Sequence, residues 1–348
     1  MKTILTDRQT DRQTDRHDYI IDCWRILAIL MVLSVHVNGY LNAVPNLIHR
    51  LLSIGAYGVA LYFLISGFLS YPSVESSKYM KEYAFKKAIR ILPMYYLSLI
   101  ATFILDALFL GDIELSWKWI YHVFFVNMFV PSAEWEWWNS VNFFWTMPCF
   151  VAWYILSPVF FKFIKSSRGA LIASVVSAAV VPFIKKWMYT FASEKFVNWN
   201  FLCLLYVFFF GVLAWLVIKE KCYVRGFLYG CIIGMIGLLC GNRSGFFVFG
   251  LVFYFGILIT SWLGLKINNG KAQTIIKAIS GVTYSVYLSH YFVLKALNGV
   301  FAIFPWPIAY ICFIAVAFAF GYVLYRFVET PVADFLKKKA RNNPRYSR

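Results

Sequence analysis

The sequence predicts an all-α, polytopic integral membrane protein with about ten transmembrane helices. Of its 348 residues, 61% are hydrophobic and only 14% are charged, whereas a soluble domain carries about 25% charged residues. Apolar runs of about 20 residues, long enough to cross a bilayer, recur along the whole chain. Because lipid offers no hydrogen bonds to the backbone, spans of this kind must be helical.

These apolar runs leave no room for a separate soluble domain. The predicted spans cover roughly residues 20–41, 51–71, 91–110, 142–161, 169–184, 199–218, 224–240, 246–263, 278–300 and 306–327. We therefore expect one membrane domain over residues 19–335, preceded by a polar tail (1–18) and followed by a basic tail (336–348).

Basic residues predict the orientation of the spans. Clusters of lysine and arginine follow every second predicted span, and the last cluster fills the C-terminal tail. By the positive-inside rule these connections and both termini are cytoplasmic. The net charge of +17 then lies at a membrane surface rather than on a nucleic-acid-binding module, and we expect no nucleic-acid partner.

The segment 111–141 is the exception to this alternation. Its middle is apolar, but acidic residues flank it on both sides: Asp112, Glu114, Glu134 and Glu136. We expect an external segment that dips into the membrane or lies on it, rather than an eleventh span.

The first span contains ionisable residues, which are costly in lipid and usually functional. It is YIIDCWRILAILMVLSVHVNGYL, with Asp22, Arg25 and His36. Arg25 and His36 are 11 residues apart, so they share one helix face with an axial separation of about 16.5 Å. Alone, such an arginine snorkels and such a histidine is a bonded core residue. Together they indicate a path through the protein; Asp22 either pairs with Arg25 or caps the helix.

A second cationic cluster lies in YAFKKAIRILPMYY, where Lys87 and Arg90 are three residues apart and therefore neighbours on a helix. Beside the inner mouth of a path they suit a polyanion such as phosphate. The alternative interpretation is ordinary positive-inside charge. In the preceding span, Ser66 and Gly67 of FLISGFL permit close helix approach.

Taken together, these motifs resemble the membrane acyltransferase-3 family. The pattern D-x-x-R-x10-H in span one is followed by F-L-I-S-G-F-L and then by F-K-K-x-x-R-I-x-P-x-Y. Further matches are WTMPCFVAWYILSP (145–158), YSVYLSH (284–290) and YRFVETP (325–331). The resemblance extends from residue 18 to about residue 335.

The resemblance implies an enzyme of the bacterial inner membrane that transfers an acyl group, commonly acetyl, from cytoplasmic acyl-CoA to a sugar of a cell-surface glycan such as lipopolysaccharide. Its partners would be acyl-CoA, the glycan acceptor and the bilayer. Acetyl-CoA would be a substrate, with no tightly bound cofactor and no metal. Many members carry glutamate where Phe150 and Val151 stand, so the chain is similar to the Glu-lacking branch, which includes enterobacterial-common-antigen O-acetyltransferases.

The implied roles fall on residues that the charge pattern already singles out. His36 would be the general base for the sugar hydroxyl, because histidine titrates near neutrality. Arg25 would act in catalysis and in donor binding, and Lys87 and Arg90 would hold the nucleotide phosphates. Direct transfer and an acyl-histidine intermediate both remain open. Three further matches to family positions are explained equally well by packing: Tyr287, His290 and Glu329.

Two other classes of protein remain as alternatives. A multi-span transporter or flippase of a glycan precursor would also use buried arginine and histidine. A polyprenyl-phosphate glycosyltransferase would need acidic residues on external segments.

The tail contains TDRQTDRQTDR at residues 6–16, a polar tract that cannot bury apolar surface. Codons ACA, GAC, AGA and CAG encode this order and together make a repeated four-base unit. Gain or loss of one unit would shift the reading frame, so we interpret the repeat as a genetic switch, making the activity phase-variable.

Overall fold

The computed structural model describes residues 19–109, 120–130, 144–301 and 303–341. In these ranges the chain folds into helices joined by turns, without strands. The long helices are α1 (Tyr19–Asn38), α2 (Gly58–Glu75), α3 (Met80–Phe109), α4 (Thr146–Phe163), α5 (Ser167–Met188), α6 (Phe201–Lys219), α7 (Tyr223–Leu239), α8 (Gly245–Trp262), α9 (Gly270–Phe301) and α10 (Trp306–Leu324). After a π turn (Tyr325–Glu329), α11 (Thr330–Arg341) follows.

The predicted fold class is confirmed. Within the described ranges, 8 helices are long and apolar enough to cross a membrane. The other two predicted spans are also helices: α7 is apolar but has 17 residues, and α9 has 32. We attribute the lower apolarity of α9 to the polar side chains that it buries in the bundle: Ser280, Thr283, Ser285, Ser289 and His290.

Polar caps begin several of these helices. Side chains of Ser166, Asn200 and Ser244 accept hydrogen bonds from backbone N–H groups in the first turns of α5, α6 and α8. The first turn of a helix leaves N–H groups without a partner in the helix, and such caps satisfy them where water is scarce.

Contacts at the two ends of the bundle show how several of its helices are oriented. At one end, which we call the basic end, an ion pair between Lys219 and Glu75 joins α6 to α2, and the Trp24 indole N–H donates to Thr260 over 3.3 Å. At the opposite end the Asn38 amide donates to the His49 carbonyl over 3.0 Å. Helices α2, α6 and α8 therefore end where α1 begins, as the charge pattern predicts for these four helices.

Helix α6 lies at the centre of the bundle, with 78% of its most apolar window buried. Its closest neighbour is α2, and the two meet at glycines. A Cβ atom on Gly67 would collide with the carbonyl oxygen of Phe208, and one on Gly211 with that of Leu64. The backbones approach so closely that only glycine fits at either position, as predicted for the FLISGFL motif.

We expect Gly67→Ala and Gly211→Ala each to destabilise the protein by roughly 1–3 kcal/mol, the usual cost of overpacking. Here the obstacle is backbone, which cannot rotate away. Thermal unfolding in detergent would measure the loss. Gly234→Ala is the matched control, because its Cβ would lie 3.4 Å from one Leu251 methyl group. Equal melting temperatures for all three variants would contradict this account of the contact.

Part of the predicted external segment is described. Residues 120–130 form only the short helix Ile120–Val123 and turns. The Tyr95 hydroxyl donates to the His122 carbonyl over 2.7 Å, and the Asn200 amide to the Met128 carbonyl over 2.6 Å. These residues are thus held against α3 and the start of α6 and make no span. The four flanking acidic residues and the repeat at 6–16 lie outside the described residues.

Candidate active site

Five helices enclose a cavity of about 130 Å³ that extends from the basic end into the bundle. Polar and aromatic side chains from all five line it: Arg25 (α1), Tyr62 and Ser66 (α2), Lys87 and Arg90 (α3), Tyr154 (α4), and Thr283, Tyr284 and Tyr287 (α9). The structure thus brings together the three cations that the sequence places on two different helices.

Arg25 is held in place by a buried carboxylate. Its guanidinium donates to Asp22 over 3.0 Å, and the Ser280 hydroxyl of α9 donates to the same oxygen over 2.6 Å. Asp22 is only 2% exposed, so it acts as an ion-pair partner and not as an interfacial cap. The pair fixes Arg25 against α9 while its side chain remains 19% exposed toward the cavity.

Lys87 lies between two aromatic rings. Its ammonium is 5.3 Å from the centre of the Tyr83 ring and 4.8 Å from that of Tyr154, distances at which rings attract cations. The rings are anchored in turn, Tyr83 to Ser157 over 2.7 Å and Tyr154 to Ser66 over 3.2 Å. A lysine that only marks topology would extend to the interface, whereas Lys87 is oriented by its neighbours.

Arg90, one helix turn after Lys87, is exposed and lines the same cavity. Arg25, Lys87 and Arg90 repel one another, and none of the described residues that line the cavity is acidic. Asp22 offsets only one of these three positive charges, and like charges held close together are unfavourable until further anions join them. The cavity is therefore suited to a ligand with several negative charges.

His36 does not line this cavity, but its ring is linked to the cavity wall through α9. Its ring contacts that of His290 on α9, with 4.9 Å between ring centres. Tyr287 lines the cavity and is 5.9 Å from His290. The Tyr62 ring packs edge-on against Tyr287, also at 5.9 Å. Tyr287 thus connects the cavity wall to the histidine pair. Asp22, the partner of Arg25, accepts a hydrogen bond from Ser280 of α9, and His36 contacts His290 of the same helix. Arg25 and His36, the two catalytic residues predicted in span one, therefore both lie beside α9.

Phe150 is on the cavity wall, at a position where the resemblance expects glutamate in many members. Its ring stacks loosely on Tyr154, with 6.5 Å between ring centres. The wall is therefore aromatic at this point and offers no carboxylate.

Four residues that line the cavity were not predicted from the sequence: Tyr62, Tyr154, Thr283 and Tyr284. For His290 a role in the site and a packing role were equally expected. A signal for part of this set was present in YSVYLSH, where Tyr284, Tyr287 and His290 recur every third residue and so follow one another along one helix face. Glu329 does not line the cavity but lies next to it, close enough to Arg90 and Tyr284 to interact electrostatically with them, and it accepts a hydrogen bond from Ser285 over 2.6 Å.

Fold and site together define a multi-pass helical membrane protein with a cationic cavity that leads toward a histidine pair. The chain belongs to the acyltransferase-3 family, whose sequence model, described as an acyltransferase domain, matches residues 18–326. The protein is thus a membrane acyltransferase. No curated protein and no solved structure matches the sequence.

Proposed function

We propose that this protein is an O-acetyltransferase of the bacterial inner membrane that moves acetyl from cytoplasmic acetyl-CoA to a sugar hydroxyl of a cell-surface glycan such as lipopolysaccharide. The observation that carries the proposal is the convergence of Arg25, Lys87 and Arg90 on one cavity without an acidic residue in its wall. CoA carries several phosphate charges and a long, uncharged arm that ends in the thioester.

The order of charged and uncharged groups along the cavity matches the order of groups along acetyl-CoA. Cations lie toward the basic end, where the phosphates would bind, and arginine matches phosphate through paired N–H donors. Deeper in the bundle the lining is uncharged, with Tyr62, Met147 and Tyr287. This part would take the arm and direct the thioester toward His36.

His36 would then act as the general base. It accepts the proton of the sugar hydroxyl while the sugar oxygen bonds to the acyl carbon and the carbon–sulfur bond breaks. The proton passes to the departing thiolate, which leaves the enzyme unchanged. In this scheme the glycan approaches from the end opposite to the donor, so no separate acetyl carrier is needed.

The direct test is incubation of membranes with acetyl-CoA radiolabelled in the acetyl group and a glycan extract from cells that lack the gene. We expect label in the glycan fraction that depends on the protein. If label never transfers, the proposal fails. Movement of a glycan precursor across the membrane without acetylation would instead indicate a flippase.

We further propose that the repeat at residues 6–16 makes the activity phase-variable. In-frame deletion of residues 2–16 should leave transfer in isolated membranes unchanged, because the matched acyltransferase domain begins at residue 18. Single colonies that differ in the number of four-base units should differ in glycan acetylation. Mixed synonymous codons across the repeat, or loss of activity at normal protein level after the deletion, would refute the switch.

A further inference from the structure

A second histidine accompanies His36 in the structure, and this inference about it rests on the proposed function. His290 is completely buried on α9, and its ring centre is 4.9 Å from that of His36, with 46° between the ring planes. Two imidazoles at this separation are close enough to influence each other's protons. Packing alone can place two rings side by side, so the hydrogen-bonding of His290 decides what the pair can do.

The tautomer of His290 follows from its own helix. Its Nδ1 atom lies 2.6 Å from the carbonyl oxygen of Tyr287. A carbonyl oxygen only accepts, so Nδ1 must carry the hydrogen and donate it. In the neutral ring the lone pair is then on Nε2, because one imidazole nitrogen donates and the other accepts. His290 therefore presents a fixed proton acceptor, and exchanging the two roles would break the bond to Tyr287.

General-base catalysis creates a positive charge on His36 within the bundle, where charge is costly without a partner. Asp22, the carboxylate on the same helix, is 14 residues away, or about 21 Å, and it is bonded to Arg25 and Ser280. The ring of Tyr287 packs against His290, and the ring of Tyr62 packs against Tyr287. Of these neighbours, the His290 ring carries the basic nitrogen.

We propose that His290 is a positioning residue for the acyl transfer, which accepts a hydrogen bond from His36 and shares the charge that His36 acquires. As the sugar oxygen bonds to the acyl carbon, its proton moves to His36. The His36 N–H then points to Nε2 of His290 while the carbon–sulfur bond breaks. The proton returns from His36 to the thiolate, and both rings end neutral.

Two amide substitutions separate this role from packing. In His290→Asn the amide nitrogen takes the place of Nδ1 and can still donate to Tyr287, but the acceptor at Nε2 is lost. In His290→Gln the amide reaches the place of Nε2 and supplies an acceptor, but the donor at Nδ1 is lost. We expect Asn to lower kcat roughly 10- to 100-fold, less than the 10²–10⁴-fold contribution of the general base itself, with KM for acetyl-CoA within about twofold of wild type. Gln should retain several-fold more activity than Asn.

The opposite ranking, with Asn near wild type and Gln impaired, would show that only the bond to Tyr287 matters and would overturn the inference. Ser289→Ala is the matched control, since Ser289 is equally buried on the same helix and should leave kcat unchanged. Melting temperatures in detergent identify variants that do not fold. If neither variant folds, ring-nitrogen NMR of ¹⁵N-histidine-labelled wild-type protein decides, because hydrogen on Nε2 of His290 contradicts the assigned tautomer. A wild-type protein that transfers no acetyl would instead refute the proposed function itself.

Discussion

His36→Ala is expected to abolish acetyl transfer, lowering kcat by about 10²–10⁴-fold, the usual cost of removing a general base. The change would remove the proposed acceptor of the sugar proton, but it deletes little packing, because His36 is only partly buried and lies near the end of α1. Initial rates with radiolabelled acetyl-CoA at saturating glycan would measure the loss. KM for acetyl-CoA should change little, since the donor cavity does not include His36.

His49→Ala is the matched control. His49 is an exposed histidine of the short helix Asn46–Ser53, and it takes part in the hydrogen bonds of that region through its backbone carbonyl. It should retain wild-type activity. Substantial turnover by a correctly inserted His36→Ala protein would show that a group other than His36 is the general base.

Arg25→Gln is expected to damage both binding and turnover, with kcat/KM lowered roughly 10- to 100-fold, as when a positioning contact is lost. Arg25 is fixed by Asp22 and lies deeper than the cations of α3, so it would hold the donor where the arm turns toward His36. Steady-state kinetics against acetyl-CoA would report kcat and KM separately.

The double variant Lys87→Gln/Arg90→Gln gives the contrast. These residues would contact phosphates far from the reacting carbon, so we expect a raised KM for acetyl-CoA and a smaller effect on kcat. Added salt should weaken donor binding to the native protein more than to the variant, because exposed phosphate contacts are screened. Tags on both termini must first show correct insertion. An unchanged KM for acetyl-CoA in a correctly inserted double variant would show that Lys87 and Arg90 serve only as positive-inside charge.

Much of the fold was predictable because each span needs its own apolar length. The boundaries of the helices were harder to predict. The predicted span 91–110 corresponds to Met80–Phe109, and 278–300 corresponds to Gly270–Phe301. Hydropathy detects only the part of a helix that lies in lipid, whereas backbone hydrogen bonding continues through polar residues such as Lys86 and Lys277. The predicted span 51–71 falls on the end of Asn46–Ser53, a 3₁₀ turn and most of α2, a break that an apolar run does not reveal.

The cations of the site could be found from sequence because charge is conspicuous in lipid. Tyr62, Tyr154 and Thr283 could not, since an aromatic or hydroxyl residue in a span is ordinarily a packing residue. Only the packing of α2, α4 and α9 around one space makes them cavity lining. The contact of His36 with His290 joins residues 254 positions apart in the sequence, a distance across which local periodicity carries no information.

The contact between Tyr62 and Tyr287 bears on whether ions can cross the protein. Tyr62 and Tyr287 pack edge to face, and the Tyr287 hydroxyl is bonded to Thr146 over 2.6 Å. Two substrates that meet from opposite sides of a membrane need a passage, yet an open passage would let protons and ions cross. In the proposed scheme, rings packed at this point would leave no open passage while no donor is bound. We therefore expect vesicles that contain the protein to hold a pH gradient as well as empty vesicles do.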